Sequence, residues 1–583
     1  MKPVLGGSER SISRFDRHFF DGTQNFTVIG SGSIGGKAKG MAFVHDLLEE
    51  YNRSLGDSPL IVNIPTLTVI AGDHFEHFLK QNDLYEVAYS DLPDDRMAHA
   101  FQKADLPPDL VGDLRALIDQ VHSPLAVRSS SYLEDAMFQP FASVYTTKMI
   151  PNNQPDTDSR FRRLIEAVKY VYASTFFRDA KNYIGATTHS TEEERMAVII
   201  QEVVGQRHGD RFYPHICGVA RSYNYYPFGH AAPEDGVVDL ALGLGRIIVE
   251  DGKGWTYSPA YPNTNPPFNS VGDLVDSSQT EFWSIHMGPP PPYDPIRETE
   301  WMMRYNLAVA EEDQVLDWIA STYDPVSERL EIGVYGRGPK VLSFAPILQL
   351  DQVPLNRVLR EIMALCKEAV GSDVEIEFAV NLETRWDTPS RLGFLQVRPM
   401  VISQAAVEVS EADLTGENLL LSSTNILGNG DLDEIRDIVY VKPDSFSTLK
   451  TWLMAAEIEA LNFELLHQKR PYLLIGFGRW GTTDPLRGIP VNFGQISGAK
   501  AIVESTLPSM YFSFSQGSHF FHNMTSFQIL YFYVSDNEAA PLDWEWLERQ
   551  RIEADKTYTR WISLDQPLRI KADARQKRGV VLK

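Results

Sequence analysis

The sequence predicts an α/β protein, and three observations indicate this class. Residues 26–50 run from an apolar segment through a glycine-rich turn into an amphipathic stretch, which is typical of a strand, a turn and a helix. Short apolar runs at 125–127 and 196–204 have the length of buried strands. Segments 159–183 and 354–371 carry apolar residues at helical spacing. Strands that alternate with helices along a chain favour an α/β fold.

The length and composition limit the classes to which the chain can belong. With 583 residues it is too long for one ordinary core, so we expect about two to four domains. A net charge of −24 argues against general binding to nucleic acid or anionic membranes, because both need a basic face. The N-terminus lacks the apolar region of a signal peptide, and no apolar run reaches the roughly 18 residues of a membrane span. Two cysteines, Cys217 and Cys366, are too few for a disulfide framework, so we expect a cytoplasmic protein.

The glycine-rich turn is a candidate phosphate site. It contains the G-x-G-x-x-G pattern of dinucleotide-binding turns, at Gly30, Gly32 and Gly35. A P-loop is rejected, because Ser31 stands at the place of its first glycine and Ala38 at the place of its Ser/Thr. Lys37 can reach phosphate as a compact charge, which a dinucleotide cradle of backbone N–H groups does not need. We therefore expect Lys37 to contact nucleotide phosphates and keep a dinucleotide site as the alternative.

A second candidate phosphate site follows the apolar run at 125–127. Arg128 comes at once after that run and is followed by three serines and by the acids Glu134 and Asp135. The planar guanidinium group binds phosphate oxygens through paired hydrogen bonds and stays charged at any working pH. The alternative is a surface turn in which Arg128 pairs with Glu134 or Asp135.

Two predicted strands carry the third candidate site. Glu375 and Glu377 are two residues apart on one strand, so both carboxylates point to the same face. Gln396 and Arg398 have the same spacing on the next strand. A hairpin with its loop at 381–392 would place Glu377 opposite Gln396 and Glu375 opposite Arg398. Two carboxylates beside phosphate-binding groups suit Mg²⁺ with a nucleotide; an ordinary cross-strand charge pair is the alternative.

These motifs together carry a family resemblance. AVRSSSYLED followed by FASVYTT, with GGKAKG, MAVIIQEVV, DVEIEFAV and GFLQVRPM, resembles the N-terminal nucleotide-binding domain of pyruvate phosphate dikinase and phosphoenolpyruvate synthase. The resemblance implies an ATP-grasp-like domain of the dikinase type that binds ATP and Mg²⁺. It covers about 26–260 and 350–402 and lapses between them.

The resemblance also implies roles for single residues. Lys37 and Arg128 would contact ATP phosphates and take part in catalysis, and Gln201, on the strand that lines the nucleotide, would help to bind it. Glu375 and Glu377 would bind Mg²⁺, whereas Gln396 and Arg398 would orient the phosphate chain. The sequence departs from the family at Ser143, where glycine is usual, and at Arg246, where a glutamate contacts the nucleotide sugar; Glu250 is a nearby acid.

The family's phosphohistidine and (β/α)₈ barrel domains have no counterpart in this sequence. A different region follows residue 402. It contains a possible anion nest at 473–490 and His519, which follows Gly517-Ser518 and is a candidate phosphoryl acceptor or base. The predicted organisation is an arm at 1–25, a nucleotide-binding region at 26–260, an insertion with a long helix at 261–350, the return of the nucleotide-binding domain at 351–402 and a smaller α+β domain at 403–583.

The sequence as a whole predicts a Mg-ATP-dependent phosphotransferase. Its acceptor would be a small molecule, with pyruvate among the candidates, or His519, and a separate phosphocarrier protein is a further candidate partner. Two alternatives stay open. One is a non-catalytic sensor that binds ATP, and the other is an enzyme that uses a dinucleotide.

Overall fold

The computed structural model shows a mixed α/β chain that divides into two compact units. It describes residues 12–56, 58–133, 144–185, 189–248, 254–266, 271–383, 388–400, 402, 407–416, 418–482, 487–507, 524, 527–535 and 542–583. The first unit comprises Met1–Arg178, Thr191–Val249 and Lys253–Met400, and the second comprises Asp179–Ser190, Glu250–Gly252 and Val401–Lys583. The predicted α/β class is confirmed at this level.

The strands form several sheets in the two units. In chain order they are Ser13–Arg14 (β1), Phe26–Ile29 (β2), Leu60–Asn63 (β3), Leu67–Ile70 (β4), Leu125–Ser131 (β5), Thr147–Ile150 (β6), Met196–Glu202 (β7), Gln206–His208 (β8), Arg211–Tyr213 (β9), Ile216–Arg221 (β10), Val237–Ala241 (β11), Trp255–Tyr257 (β12), Glu281–His286 (β13), Met302–Asn306 (β14), Ser321–Asp324 (β15), Arg329–Ile332 (β16), Lys340–Val341 (β17), Val374–Asn381 (β18), Ser390–Pro399 (β19), Leu419–Ser423 (β20), Asn425–Leu427 (β21), Asn429–Val441 (β22), Tyr472–Phe477 (β23), Arg479–Trp480 (β24), Gly488–Ile489 (β25), Ala499–Ser505 (β26), Leu530–Val534 (β27), Arg551–Asp555 (β28), Thr559–Asp573 (β29) and Arg578–Leu582 (β30).

The helices vary from single turns to more than five turns. They are Gly35–Leu55 (α1), Gly72–Gln81 (α2), Tyr85–Ala88 (α3), Asp94–Lys103 (α4), Pro108–Gln120 (α5), Thr157–Ser174 (α6), Arg178–Gly185 (α7), Val271–Ser277 (α8), Leu307–Glu312 (α9), Ala345–Leu348 (α10), Leu355–Val370 (α11), Glu411–Thr415 (α12), Thr451–His467 (α13) and Trp544–Glu548 (α14). Within the described ranges, none of these helices has both the length and the apolar character needed to cross a membrane.

Two six-stranded sheets organise the first unit. We call the sheet with strand order β1-β2-β4-β7-β5-β6 sheet A, and the one with order β12-β11-β10-β18-β19-β3 sheet B. In sheet A the strands β1, β2 and β4 are parallel, and β7, β5 and β6 follow antiparallel. The apolar run before Arg128 is fully buried in β5, which explains why that arginine is held at a fixed place.

The β18–β19 hairpin in sheet B has the predicted register. Glu375 faces Arg398 and Glu377 faces Gln396, so these two predicted pairs are confirmed. The predicted loop at 381–392 is too long, because strand β18 extends to Asn381 and β19 begins at Ser390. The register shifts between Glu377 and Phe378, where the ladder has a bulge. Because a bulge increases the local twist of a strand, the polar end of the hairpin is angled away from its apolar end.

The predicted long helix at 297–322 is wrong. The described residues there form strand β14, the short helix α9 and the start of β15. Met302–Asn306 pairs antiparallel with β13, and this ladder outweighs the weak helical preference of the sequence. Helix α9 stops before Gln314, which has a φ of 61°. The predicted helix at 159–183 is likewise interrupted, between Ser174 and Arg178.

The second unit contains a nine-stranded sheet. Its order is β20-β30-β29-β22-β23-β26-β27-β21, with β28 paired to β29. The four strands β22, β23, β26 and β27 are parallel. One apolar core cluster of this unit includes side chains from all four. Helix α13 connects β22 to β23 along the chain.

Candidate functional site

The glycine-rich turn lies against strand β5. Gly35 has a φ of +71°, and a Cβ at this position would lie 1.9 Å from the carbonyl oxygen of Ser130, so only glycine fits. The backbone N–H of Ala38 donates to Ser130 Oγ at 3.2 Å. Lys37 Nζ donates to Ser129 Oγ at 3.1 Å. The turn therefore places the Lys37 ammonium group beside the residue that follows Arg128.

The N–H groups at the start of the turn bind an internal carboxylate, that of Asp73 at the N-terminus of α2. The backbone N–H and the hydroxyl of Ser31 both donate to Asp73 Oδ2, at 3.0 Å and 3.1 Å. Partial burial raises the pKa of Asp73, but hydrogen bonds from Ser31 and Gly32 and the nearby His74 lower it by more. The pKa of Asp73 therefore lies below its ordinary value. Because a carboxylate already occupies these donors, the turn does not offer them to a pyrophosphate, which argues against the dinucleotide alternative.

Arg128 brings several predicted residues together. Its Nη1 donates to Gln201 Oε1 at 3.2 Å and to the carbonyl oxygen of Leu395 at 3.1 Å. Its Nη2 donates to Gln396 Oε1 at 2.8 Å and lies 3.4 Å from Glu377 Oε2. The guanidinium group thus joins sheet A to the β18–β19 hairpin of sheet B. The side chain of Arg128 is 14% exposed.

Gln201 was predicted to contact the nucleotide, and the structure gives it a definite partner. Gln201 is buried on β7, its Oε1 accepts a hydrogen bond from Arg128, and its Nε2 lies 3.9 Å from Met41 Sδ. A neutral acceptor beside a guanidinium group orients it without cancelling its charge. The side chain of Gln201 therefore helps to hold Arg128 in place.

Glu375 lies between two arginines. Its Oε1 accepts from Arg398 Nε at 2.6 Å and also contacts Arg398 Nη2, whereas its Oε2 accepts from Arg221 Nε at 2.6 Å. The carboxylate side chain is only 2% exposed. Arg221 in turn donates from Nη1 to Asp239 at 2.8 Å. Burial opposes the charged form of Arg221, but the charges of Glu375 and Asp239 outweigh that effect and raise its pKa.

Glu377 is the more accessible of the two predicted metal ligands. Its side chain is 19% exposed, and its oxygens lie 3.4 Å from Arg128 Nη2 and 3.6 Å from Arg398 Nη2. Mg²⁺ prefers carboxylate oxygens together with phosphate oxygens and water, and Glu377 fits this preference. Glu375 would fit it only if Arg398 moved away. Among the residues that the structure describes, no group of three or more His, Cys, Asp or Glu could hold a metal ion.

Arg246, which stands where the resemblance implies a glutamate, has defined contacts. Its Nη1 lies 3.4 Å from Glu298 Oε2, and its guanidinium carbon lies 5.6 Å from the centre of the Trp283 ring. Glu298 also accepts from the backbone N–H of Thr147 at 3.2 Å, and Thr147 is the register partner of Arg128. Arg246 and Glu298 therefore form an ion pair next to the strand pair that carries Arg128.

Glu194 is a buried acid that the sequence analysis missed. It accepts hydrogen bonds from Ser131 Oγ at 2.8 Å and from the backbone N–H of Tyr132 at 3.1 Å, and it also accepts one from the hydroxyl of Tyr145. One carboxylate thus binds residues from both sides of segment 134–143. No spacing rule in the sequence points to this role, since Glu194 is distant in the chain and follows two other glutamates.

Several predicted residues lie outside the described part of the chain: Glu134, Asp135, Ser143, Glu250 and His519. The proposed partners of Arg128 in a surface turn, and the proposed acceptor histidine, therefore stay predictions.

Three backbone N–H groups of the predicted anion nest at 473–490 donate within the protein, whereas residues 483–486 lie outside the described residues. The N–H of Gly478 donates to the carbonyl of Ser505, that of Arg479 to Arg487 and that of Gly481 to Ile489. A nest needs N–H groups that point together at an anion, and here they join neighbouring segments. These three groups are therefore not free for an anion, and a nest that uses residues 483–486 stays a prediction.

Comparisons with known proteins identify a family. Residues 31–418, more than half of the chain, match the family model described as pyruvate phosphate dikinase, AMP/ATP-binding domain. The matched span is continuous across 261–350, where the sequence motifs showed no resemblance. A search of curated proteins returned no match.

Proposed function

Because the chain belongs to the pyruvate phosphate dikinase AMP/ATP-binding domain family, we propose that it is a Mg-ATP-dependent phosphotransferase with an ATP-grasp-like nucleotide site. The proposed site lies where Arg128 joins sheet A to the β18–β19 hairpin. One observation carries this proposal. Arg128 on strand β5 contacts Gln396 and Glu377 of the hairpin. The next residue of β5, Ser129, accepts a hydrogen bond from Lys37.

The side chains of this site would have different roles in phosphoryl transfer. In this proposal Lys37 and Arg128 neutralise phosphate charge, and Arg398, whose Nη2 lies 3.6 Å from Glu377, supplies a third positive charge. Gln396 and Gln201 orient Arg128 through its two terminal nitrogens. Glu377 would hold Mg²⁺, which supplies charge neutralisation at the β- and γ-phosphates when bound. Catalysis of this kind rests on positioning and charge stabilisation, so these rigid contacts are suited to it.

The acceptor belongs to the proposal as well. We infer a small molecule, with pyruvate as one candidate, or His519, and a separate phosphocarrier protein as a further candidate. The chain carries an acidic net charge of −24, so an anionic acceptor needs the local cations of the site to approach. That requirement favours an acceptor that binds beside Arg128 and Lys37.

The test is phosphorus NMR of the protein with Mg-ATP, with and without pyruvate. We expect turnover in the wild type and in Glu312→Gln, an exposed glutamate on α9 that serves as the control, and none in Glu377→Gln. AMP as the product indicates dikinase-type chemistry, and ADP a simple kinase or ATPase. Equal turnover in Glu377→Gln and the wild type would refute the role of Glu377.

A second candidate is a nucleotide sensor without catalysis. The observation that favours it is that both candidate metal ligands already face arginines. Glu375 is paired with two arginines, and Glu377 lies near two. A site whose carboxylates are neutralised by its own cations has little capacity for a metal. Calorimetric binding of ATP, combined with no phosphorus product under any acceptor, would select the sensor.

A further inference from the structure

Helix α13 (Thr451–His467) is apolar on two opposite faces. One face lies in the interior, with Met454, Ala455, Ile458, Leu461 and Leu465 buried. The opposite face carries Trp452 and Phe463, which are 61% and 60% exposed. Glu457, Glu459 and Glu464 lie at the sides of the helix between these two faces, and an exposed apolar face with charged borders commonly marks an interaction site. The outer face of α13 is therefore expected to have a partner.

The exposed residues of α13 other than Glu464 form one narrow stripe. With 3.6 residues per turn, positions 452, 456, 460, 463 and 467 fall within an arc of about 80°. Leu449, which is 77% exposed, extends the row on the 3₁₀ turn just before the helix. We call this set the α13 stripe: Leu449, Trp452, Ala456, Ala460, Phe463 and His467. It contains no Asp, Glu, Lys or Arg, and contiguous apolar patches of this kind commonly mark interaction sites.

The stripe has the same order of sizes when read from either end. Two small residues, Ala456 and Ala460, lie in the middle, and an aromatic residue lies beyond each of them. Trp452 and Phe463 are separated by about 16 Å along the helix axis. A surface with this arrangement is complementary to itself under a twofold axis, which is the requirement for an isologous dimer contact.

We propose that the α13 stripe binds the α13 stripe of a second copy of this chain in antiparallel orientation. Ala456 then faces Ala460 of the second copy, and the small side chains let the helices approach closely. Trp452 lies beside Phe463 of the second copy, and the twofold axis repeats that aromatic pair. The antiparallel orientation also places opposite ends of the two helix dipoles together.

The size of the stripe predicts a reversible dimer. Each of its three large side chains can lose on the order of 100 Å² of exposed surface, so six of them give roughly 600 Å². Stable complexes bury about 1,200 Å² or more. The net charge of −24 per chain adds a repulsion that salt screens. The contact should therefore strengthen with salt, whereas an ion-paired contact would weaken.

Sedimentation velocity of the full chain tests the contact. We expect the wild type to shift from 65.8 kDa toward twice that mass as its concentration rises. Trp452→Glu with Phe463→Glu should raise the dissociation constant at least about tenfold, since these two aromatic side chains supply most of the apolar area of the contact. Tyr335→Glu changes another aromatic residue, which is 93% exposed, and should associate like the wild type. A wild type that stays monomeric, or a double variant that dimerises equally well, would overturn the proposal.

Disulfide cross-linking tests the orientation. The native cysteines Cys217 and Cys366 are buried and do not compete. A mixture of Ala456→Cys and Ala460→Cys chains should cross-link faster than either variant alone, because antiparallel packing places these two positions opposite each other. Faster cross-linking of Ala456→Cys with itself would overturn the antiparallel order. Neither experiment depends on nucleotide binding, so failure here leaves the proposed phosphotransferase untouched.

Discussion

Replacing Arg221 by Met should weaken sheet B through the acid that the arginine leaves behind. Arg221 is buried and bridges Glu375 and Asp239 across strands β18, β10 and β11. Without it, Glu375 keeps Arg398, but Asp239 keeps only the hydroxyl of Thr256 among the contacts described here. Removal of one partner from a buried charge pair costs about 3–5 kcal/mol. Because Glu375 is still paired, we expect the lower end, about 3 kcal/mol.

The double variant Arg221→Met/Asp239→Asn separates this cause from loss of packing. It removes both the arginine and the charge that the arginine leaves unpaired, so its loss of stability should be smaller than the sum of the two single losses by at least about 1 kcal/mol. Native-state hydrogen exchange of peptides that cover β10 and β18 measures the local free energy of opening. A single variant that loses less than about 1 kcal/mol, or strictly additive losses, would refute the reasoning.

Three further predictions concern the candidate site. Arg128→Lys should weaken ATP binding about tenfold or more in calorimetry, because lysine lacks the paired donors, whereas Arg329→Lys, at an exposed position on β16, should not; equal affinities would contradict the assignment. Asp73→Asn should remove a loss of stability at acid pH. Because the pKa of Asp73 is lowered in the folded state, its contribution to the free energy of unfolding is present above pH 3.8 and is lost as the pH falls through the folded-state pKa. Thermal unfolding below about pH 4 should show this loss only in the wild type. Gly35→Ala should lower the Tm more than Gly56→Ala, because both residues have positive φ but only Gly35 meets another atom within 4 Å; equal shifts would show that backbone conformation alone matters.

The sequence by itself determined the local arrangement of the β18–β19 hairpin. Alternation along a strand places residues two apart on the same face, and the hairpin connection sets which residues face each other. Those two local rules were enough to predict that Glu375 faces Arg398 and Glu377 faces Gln396. The glycine-rich turn and the arginine after β5 were likewise predicted, because glycine, lysine and arginine have distinct chemistry at strand ends.

Only the tertiary structure decided which distant residues complete the site. Arg221 faces Glu375 because β10, which is more than 150 residues away, pairs with β18. Asp73 fills the glycine-rich turn because α2 begins beside it, and Arg128 reaches Gln396 across two sheets. The prediction of a long helix at 297–322 was wrong for the same reason, since Met302–Asn306 pairs with β13 in a sheet. Pairing between non-consecutive strands is fixed by burial of whole sheets, and no local sequence pattern contains that information.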